Sequence, residues 1–292
     1  MKKNYIYAFL TVFIWATLAV TAKVLLTDIP NLETLSVSSM FAFLFLLVLN
    51  IKKGTIKDMQ IYSIKDYSVM GGLGIIGLFA YSALYYYGLT KLSSQKACIL
   101  NYLWPIMLVV FSCIILKEKL TVVKGIAMFC SFLGVIIIST GNNSVVNQSA
   151  VWGIVSCIIA AACYGLFSVL NKRTGYNQYI AMMIMWLVTA VCSAILGILV
   201  EDWVPLEGAQ WMGMLWLGIV INAVAYLLWA LALRGIENTA KIANIAYLTP
   251  FLSLVVSALV LKEKIDIRAF IALIFIVGGI LFQSFYEHVN KE

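Results

Sequence analysis

Apolar residues run through this chain of 292 residues in ten long blocks, at 5–26, 33–51, 67–89, 94–116, 121–140, 150–171, 178–200, 210–233, 239–261 and 266–286, bounded by charge, glycine or proline. A helix needs about 20 apolar residues to cross the hydrocarbon of a bilayer, so the pattern predicts ten membrane-spanning helices joined by short connections. The first block follows Lys2 and Lys3, but its apolar run is too long for a signal peptide and no small-residue cleavage site ends it. It reads as a retained helix. The longest polar linker, Lys52 to Asp66, is too short to fold alone.

Composition agrees with the pattern. The chain is 63% hydrophobic and 11% charged, with a mean hydropathy of +0.99, which excludes an ordinary soluble domain and leaves no room for an extramembrane one. All six cysteines, Cys98, Cys113, Cys130, Cys157, Cys163 and Cys192, fall in apolar stretches, where a free cysteine acts as a small hydrophobe. The single histidine, His288, sits in the polar C-terminal tail, so no buried imidazole is on offer as base or metal ligand. No HExxH, phosphate-binding loop or paired acidic motif occurs. An enzyme, a metal and a cofactor are therefore not expected.

The net charge of +7 would suggest nucleic acid in a soluble protein; here it speaks of cytoplasmic loops. With the N-terminus inside, fourteen basic residues fall on inner segments, among them Lys52, Lys53, Lys57, Lys65, Lys172 and Arg173, against five outside: Lys91, Lys96, Lys262, Lys264 and Arg268. The bias predicts both termini in the cytoplasm of a cell that carries the protein in its plasma membrane. Loops near Asn143 and Glu207 would then face out.

The chain also repeats itself. At an offset of 145, Lys96 meets Lys241, Tyr102 meets Tyr247, Pro105 meets Pro250, the run LKEK at Leu116–Lys119 meets the same run at Leu261–Lys264, and Gly134 meets Gly279. At an offset of 149, Trp15 and Ala16 meet Tyr164 and Gly165, and Lys23 meets Lys172. Two repeats, 1–141 and 150–292, would hold five helices each. Five is odd, so the second copy enters the membrane with the opposite orientation. The expected fold is thus an all-α membrane protein of two inverted five-helix repeats around a central cavity.

Candidate chemistry gathers where polar and aromatic residues interrupt the blocks. Pro105 and Pro250 lie near the middle of the fourth and ninth blocks and free the carbonyls of Asn101 and Ala246. Around Pro105 the run Asn101-Tyr102-Leu103-Trp104 puts an amide and an indole on one face. Asn222, Tyr226 and Trp229 form a stripe in the eighth block, Tyr81 and Tyr85 another in the third, while Trp15 and Tyr164 stand in the first and sixth. An amide left in lipid costs several kcal/mol, so Asn101 and Asn222 should face protein, water or substrate. Interhelical hydrogen bonding alone also satisfies them. Lys23 and Lys172 end their blocks and are expected to snorkel to the interface. No Asp or Glu lies inside a block, so the carboxylate that commonly binds a cation or proton within a membrane is missing.

The ten-block plan, the two repeats and the LKEK turn after each proline-bearing helix resemble the drug/metabolite transporter superfamily, in its ten-helix branch with two EamA-type domains. Within it, Trp15, Tyr85 and the run NYLWP at Asn101–Pro105 look most like the aromatic amino-acid exporters of the YddG type. The sixth helix departs from that group, with Tyr164 where a tryptophan would be expected. The resemblance implies a basket of helices exporting aromatic amino acids or related small metabolites. A cavity of indole, phenol and amide groups suits a ligand with an aromatic body and a polar head. The expected partners are that small molecule and the lipid bilayer, with a monomer favoured and no nucleic acid. The other readings are a carrier of a different neutral metabolite, such as a nucleoside or short-chain amine, and a non-transporting membrane sensor or assembly factor.

Overall fold

The computed structural model describes residues 2–117, 121–139, 148–232 and 244–289. Of the features singled out above, Lys119, Lys241 and the loop at Asn143 lie outside the described residues, as does the side chain of His288. Seven helices are long and apolar enough to cross a membrane: α1 (Lys3–Leu25), α2 (Asn31–Lys53), α3 (Ile64–Lys91), α4 (Ser94–Ile115), α6 (Gln148–Arg173), α7 (Gln178–Val200) and α8 (Gly208–Ala232). Among the described residues three shorter apolar helices accompany them, α5 (Val122–Ile138), α9 (Ile245–Val260) and α10 (Ile267–Phe282). The described residues are thus all-helical in their regular structure, and the fold is that of a membrane protein. Large apolar side chains such as Phe13, Phe129, Phe132, Leu199 and Phe285 stand exposed on the outer faces, where a bilayer would cover them.

Several helices are not continuous. The first changes course at Ala16–Thr17, between Lys2–Trp15 and Leu18–Leu25. In α4, helical bonding stops at Asn101 and restarts at Trp104, with Pro105 in the first turn of the second half. A proline is welcome there because the first amides of a helix have no partner within it. Before Pro250 the chain makes a 3₁₀ turn, Asn244–Leu248, and then the helix Thr249–Val260. Wide π turns occupy Ile75–Ala80 in α3 and Trp216–Ala225 in α8.

Packing follows the sequence repeat. The pair α5 and α10 and the pair α2 and α7 form the most extensive contacts, while α3 against α6 has its counterpart in α8 against α1, and α2 against the π turn of α8 in α7 against that of α3. The glycines of the repeat explain the first pair. A Cβ on Gly134 would stand 2.8 Å from the Ala272 carbonyl, and one on Gly279 would stand 3.1 Å from the Ala127 carbonyl. Ala127 and Ala272 are themselves 145 apart, so each half presents the same glycine to the same residue of the other, the mark of a two-fold contact.

The two copies of the Leu-Lys run also end their helices alike. Lys117 and Lys262, again 145 apart, are the two non-glycine residues with positive φ among those described, at 55° and 53°. Each follows its helix as a left-handed cap residue, a position usually given to glycine. Gly54, at φ 72°, closes α2 in the same way.

Candidate functional site

The broken helices meet around a cavity of about 30 Å3 that is partly open to its surroundings. That holds water but falls far short of the roughly 300 Å3 of a metabolite-sized pocket. Its walls must part before a larger molecule enters.

Eight of the ten residues expected at the site line this cavity. Trp15 reaches it from α1, Tyr81 and Tyr85 from α3, and Asn101, Tyr102 and Trp104 from the break in α4. Tyr164 of α6 and Tyr226 of α8 close the ring. The rings contact one another: Tyr81 and Tyr85 lie nearly parallel with centroids 6.0 Å apart, Tyr81 lies 4.9 Å from Tyr164, and Trp104 meets Tyr164 edge-on at 5.3 Å. On the other side Trp15 meets Tyr226 at 5.4 Å. Trp15 with Tyr226 is the repeat counterpart of Tyr164 with Tyr81, so the cage is built twice from equivalent positions.

Polar groups are placed among these rings. The Asn101 amide donates to the Tyr81 hydroxyl at 3.1 Å. The Tyr102 hydroxyl donates to the carbonyl of Ala246 at 3.1 Å. This is the carbonyl that Pro250 frees, so Tyr102 does structural work as well as lining the wall: the break in one half is satisfied by a side chain from the break in the other. Three wall atoms that are buried have no hydrogen-bond partner: Trp15 Nε1, Asn101 Oδ1 and Thr249 Oγ1. Unpaired buried polar atoms are costly, and three on one cavity point to groups that await a ligand or water.

Two expected residues stand behind the wall. Trp229 packs on Trp15 with centroids 5.4 Å apart. Asn222 is buried, and its amide nitrogen has no hydrogen-bond partner among the described residues. The π turn explains the placement of Asn222, because a stripe read at about 3.6 residues per turn does not carry through a wider turn.

Thr249, Cys98, Leu18 and Ala19 complete the lining and were not expected from the sequence. For Thr249 a signal was present: it lies 145 positions after Trp104. Where one half contributes an indole, the other contributes a hydroxyl, so the cavity has one wall more aromatic and one more polar.

The sequence profile of the EamA-like transporter family matches residues 2–140 and again residues 151–285. The chain belongs to the EamA-like transporter family. Among curated relatives, the uncharacterized transporter YoaV of Bacillus subtilis (strain 168) is 26% identical over 93% of this chain and 93% of its own. An uncharacterized transporter of Clostridium kluyveri is 24% identical over 96% and 92%. The aromatic amino acid exporter YddG of Ancylobacter novellus is 25% identical over 62% of this chain and 63% of its own. One crystal structure superposes with a TM-score of 0.73 at 20% identity, covering 100% of both chains. It supports the fold alone.

Lys23 is half-buried at the edge of a surface recess, and its ammonium donates to the carbonyls of Leu89 and, at 2.8 Å, Leu92. The C-terminal carbonyls of α3 lack partners within their helix and carry the negative end of its dipole, which favours a cation there. Its repeat counterpart Lys172 ends α6 exposed.

Proposed function

We propose that this EamA-family transporter carries a small amphipathic metabolite with an aromatic body and a net-neutral polar head, an aromatic amino acid being the leading candidate, and exports it. The observation that carries the reading is the aromatic cage with Trp15 Nε1, Asn101 Oδ1 and Thr249 Oγ1 unpaired in its wall. An indole N–H suits a carboxylate, an amide oxygen suits an ammonium, and the threonine hydroxyl serves either. Among the described residues no Asp, Glu, Lys, Arg or His lines the cavity, so neither an organic cation nor an anion finds a countercharge there. The partial similarity to an aromatic amino acid exporter points the same way.

Movement would proceed by alternating access, the two five-helix repeats, 1–141 and 150–292, rocking about the cavity as inverted halves of a ten-span bundle with both termini in the cytoplasm. The equivalent contacts of Gly134 and Gly279 and the duplicated aromatic pairs support that arrangement. Since the described cavity wall has no acidic side chain, the reading is of transport down the substrate's own gradient or by exchange.

The test is a competition panel in proteoliposomes. Unlabelled phenylalanine, tyrosine and tryptophan should displace a labelled aromatic amino acid, whereas nucleosides and short-chain amines should not. Displacement by nucleosides alone would transfer the assignment to another neutral substrate. No substrate-dependent flux for any compound would favour a sensor or assembly role.

A further inference from the structure

The end of the bundle where α1 and α3 finish and α4 begins is held by a set of charge-assisted bonds that the substrate site does not need. Lys23 lies one turn beyond Ala19, a cavity-lining residue on the same face of α1. From there its ammonium ties α1 to the final carbonyls of α3 through Leu89 and Leu92. Opposite Lys23, across a surface recess that both residues line, stands Glu263 from the connection between α9 and α10. The Glu263 carboxylate accepts from the backbone amides of Ser94 and Gln95, at 3.0 and 3.4 Å, and from the Ser94 hydroxyl at 3.1 Å. It thus caps the first turn of α4. Gln95 fastens the same seam, its amide donating to the Lys264 carbonyl at 3.1 Å and its oxygen accepting from Asp266 N.

The Glu263 and Gln95 bonds join the two repeats that rocking would part, the start of α4 in the first and the connection from α9 to α10 in the second, while the Lys23 bonds tie α1 to the end of α3 within the first repeat. Lys23 and Ser94 each stand one turn from a cavity-lining residue, Ala19 and Cys98. The other lysine of the repeat, Lys172, is exposed, so the two equivalent positions are in different states in one structure.

We propose that Glu263, bound to the start of α4, forms a latch between the repeats that holds this end of the cavity shut, with Lys23 fixing the corner of α1 and α3 that it closes on, and that the latch releases when the cavity opens to this face. The latch goes beyond the substrate assignment, and its test uses no substrate, so an error in one leaves the other standing. Cys98 lies in the cavity wall and serves as the reporter once the other five cysteines are replaced by alanine. The readout is its rate of modification by a small membrane-impermeant methanethiosulfonate, added to each face of sealed vesicles of known orientation.

Lys23→Met removes both bonds to α3. Glu263→Gln removes the charge and leaves one donor of the α4 cap without its acceptor. Each should speed modification from the latch face about tenfold or more, as expected for losing a charge-assisted bond, and leave the rate from the opposite face unchanged or lower. Lys172→Met should not raise the rate from the latch face. Should Lys23→Met fail to elute as a single folded species, Glu263→Gln carries the same comparison, and Lys23→Arg should keep the slow parental rate. Unchanged modification in folded Glu263→Gln, or an equal rise from both faces, would overturn the latch.

Discussion

Tyr102 shows how much one hydroxyl can hold. It satisfies the Ala246 carbonyl freed by Pro250, so Tyr102→Phe should cost about 1–3 kcal/mol, the price of a buried acceptor left alone, seen as a lower melting temperature in detergent. Trp104→Ala makes the opposite prediction. A ring on a cavity edge has fewer packing partners than a core ring, so expression and melting should change little while apparent substrate affinity falls about tenfold or more. A Trp104→Ala protein that fails to fold, beside a fully active Trp15→Ala, would return both residues to packing. Asn101 and Trp104 were legible in the sequence because an amide and an indole beside a proline are out of place in lipid. Thr249 was not, since a lone hydroxyl beside Pro250 carries no aromatic or charge signal, and only its register with Trp104 gives it away. The fate of Lys23 depended on where α3 ends, which no local pattern around Lys23 contains.

Helix ends and helix contacts are where the duplicated sequence becomes duplicated structure. Lys262 adopts φ 53° after α9, a region that costs a non-glycine residue about 1–2 kcal/mol. Lys262→Gly should therefore be neutral or stabilising, whereas Lys262→Val should lower the melting temperature, since a β-branched side chain tolerates that region least. Gly134 makes a sharper case. A side chain there meets the Ala272 carbonyl and Ile276 of α10, and a backbone carbonyl has no rotamer to yield, so Gly134→Val should destabilise by about 1–3 kcal/mol. Gly279→Val should behave alike, and the double variant should fall short of additivity because both act on one contact. Seven membrane-length apolar helices and three shorter ones among the described residues overlap the blocks that hydropathy marks out. The π turns could not, because one extra residue per turn barely disturbs an apolar run, yet they shift which side chains face inward. Asn222 was displaced from the expected stripe for that reason.

At the scale of the whole molecule, the structure combines a duplicated scaffold with an unequal cavity: equivalent positions give Trp15 and Tyr164, Tyr81 and Tyr226, but Trp104 and Thr249. The offset of 145 disclosed the duplication in the sequence, whereas the cavity's narrowness and the closed seam at Lys23 depend on long-range packing that a single sequence does not display. Orientation in the membrane rests on charge bias, and it predicts that in intact cells a single cysteine at Glu207 is labelled by an impermeant reagent while one at Lys57 is protected. Strong outside labelling at Lys57 would reverse the topology. Whether the aromatic cavity is a transport site for an amphipathic, net-neutral molecule is decided by counterflow of labelled phenylalanine into sealed proteoliposomes preloaded with unlabelled phenylalanine, with no ion gradient imposed. The label should accumulate transiently, Trp104→Ala should abolish that accumulation in a folded protein, and Lys96→Met, outside the cavity lining, should leave it intact. Equal label uptake with and without the unlabelled load, or counterflow that Trp104→Ala leaves unchanged, would contradict that role.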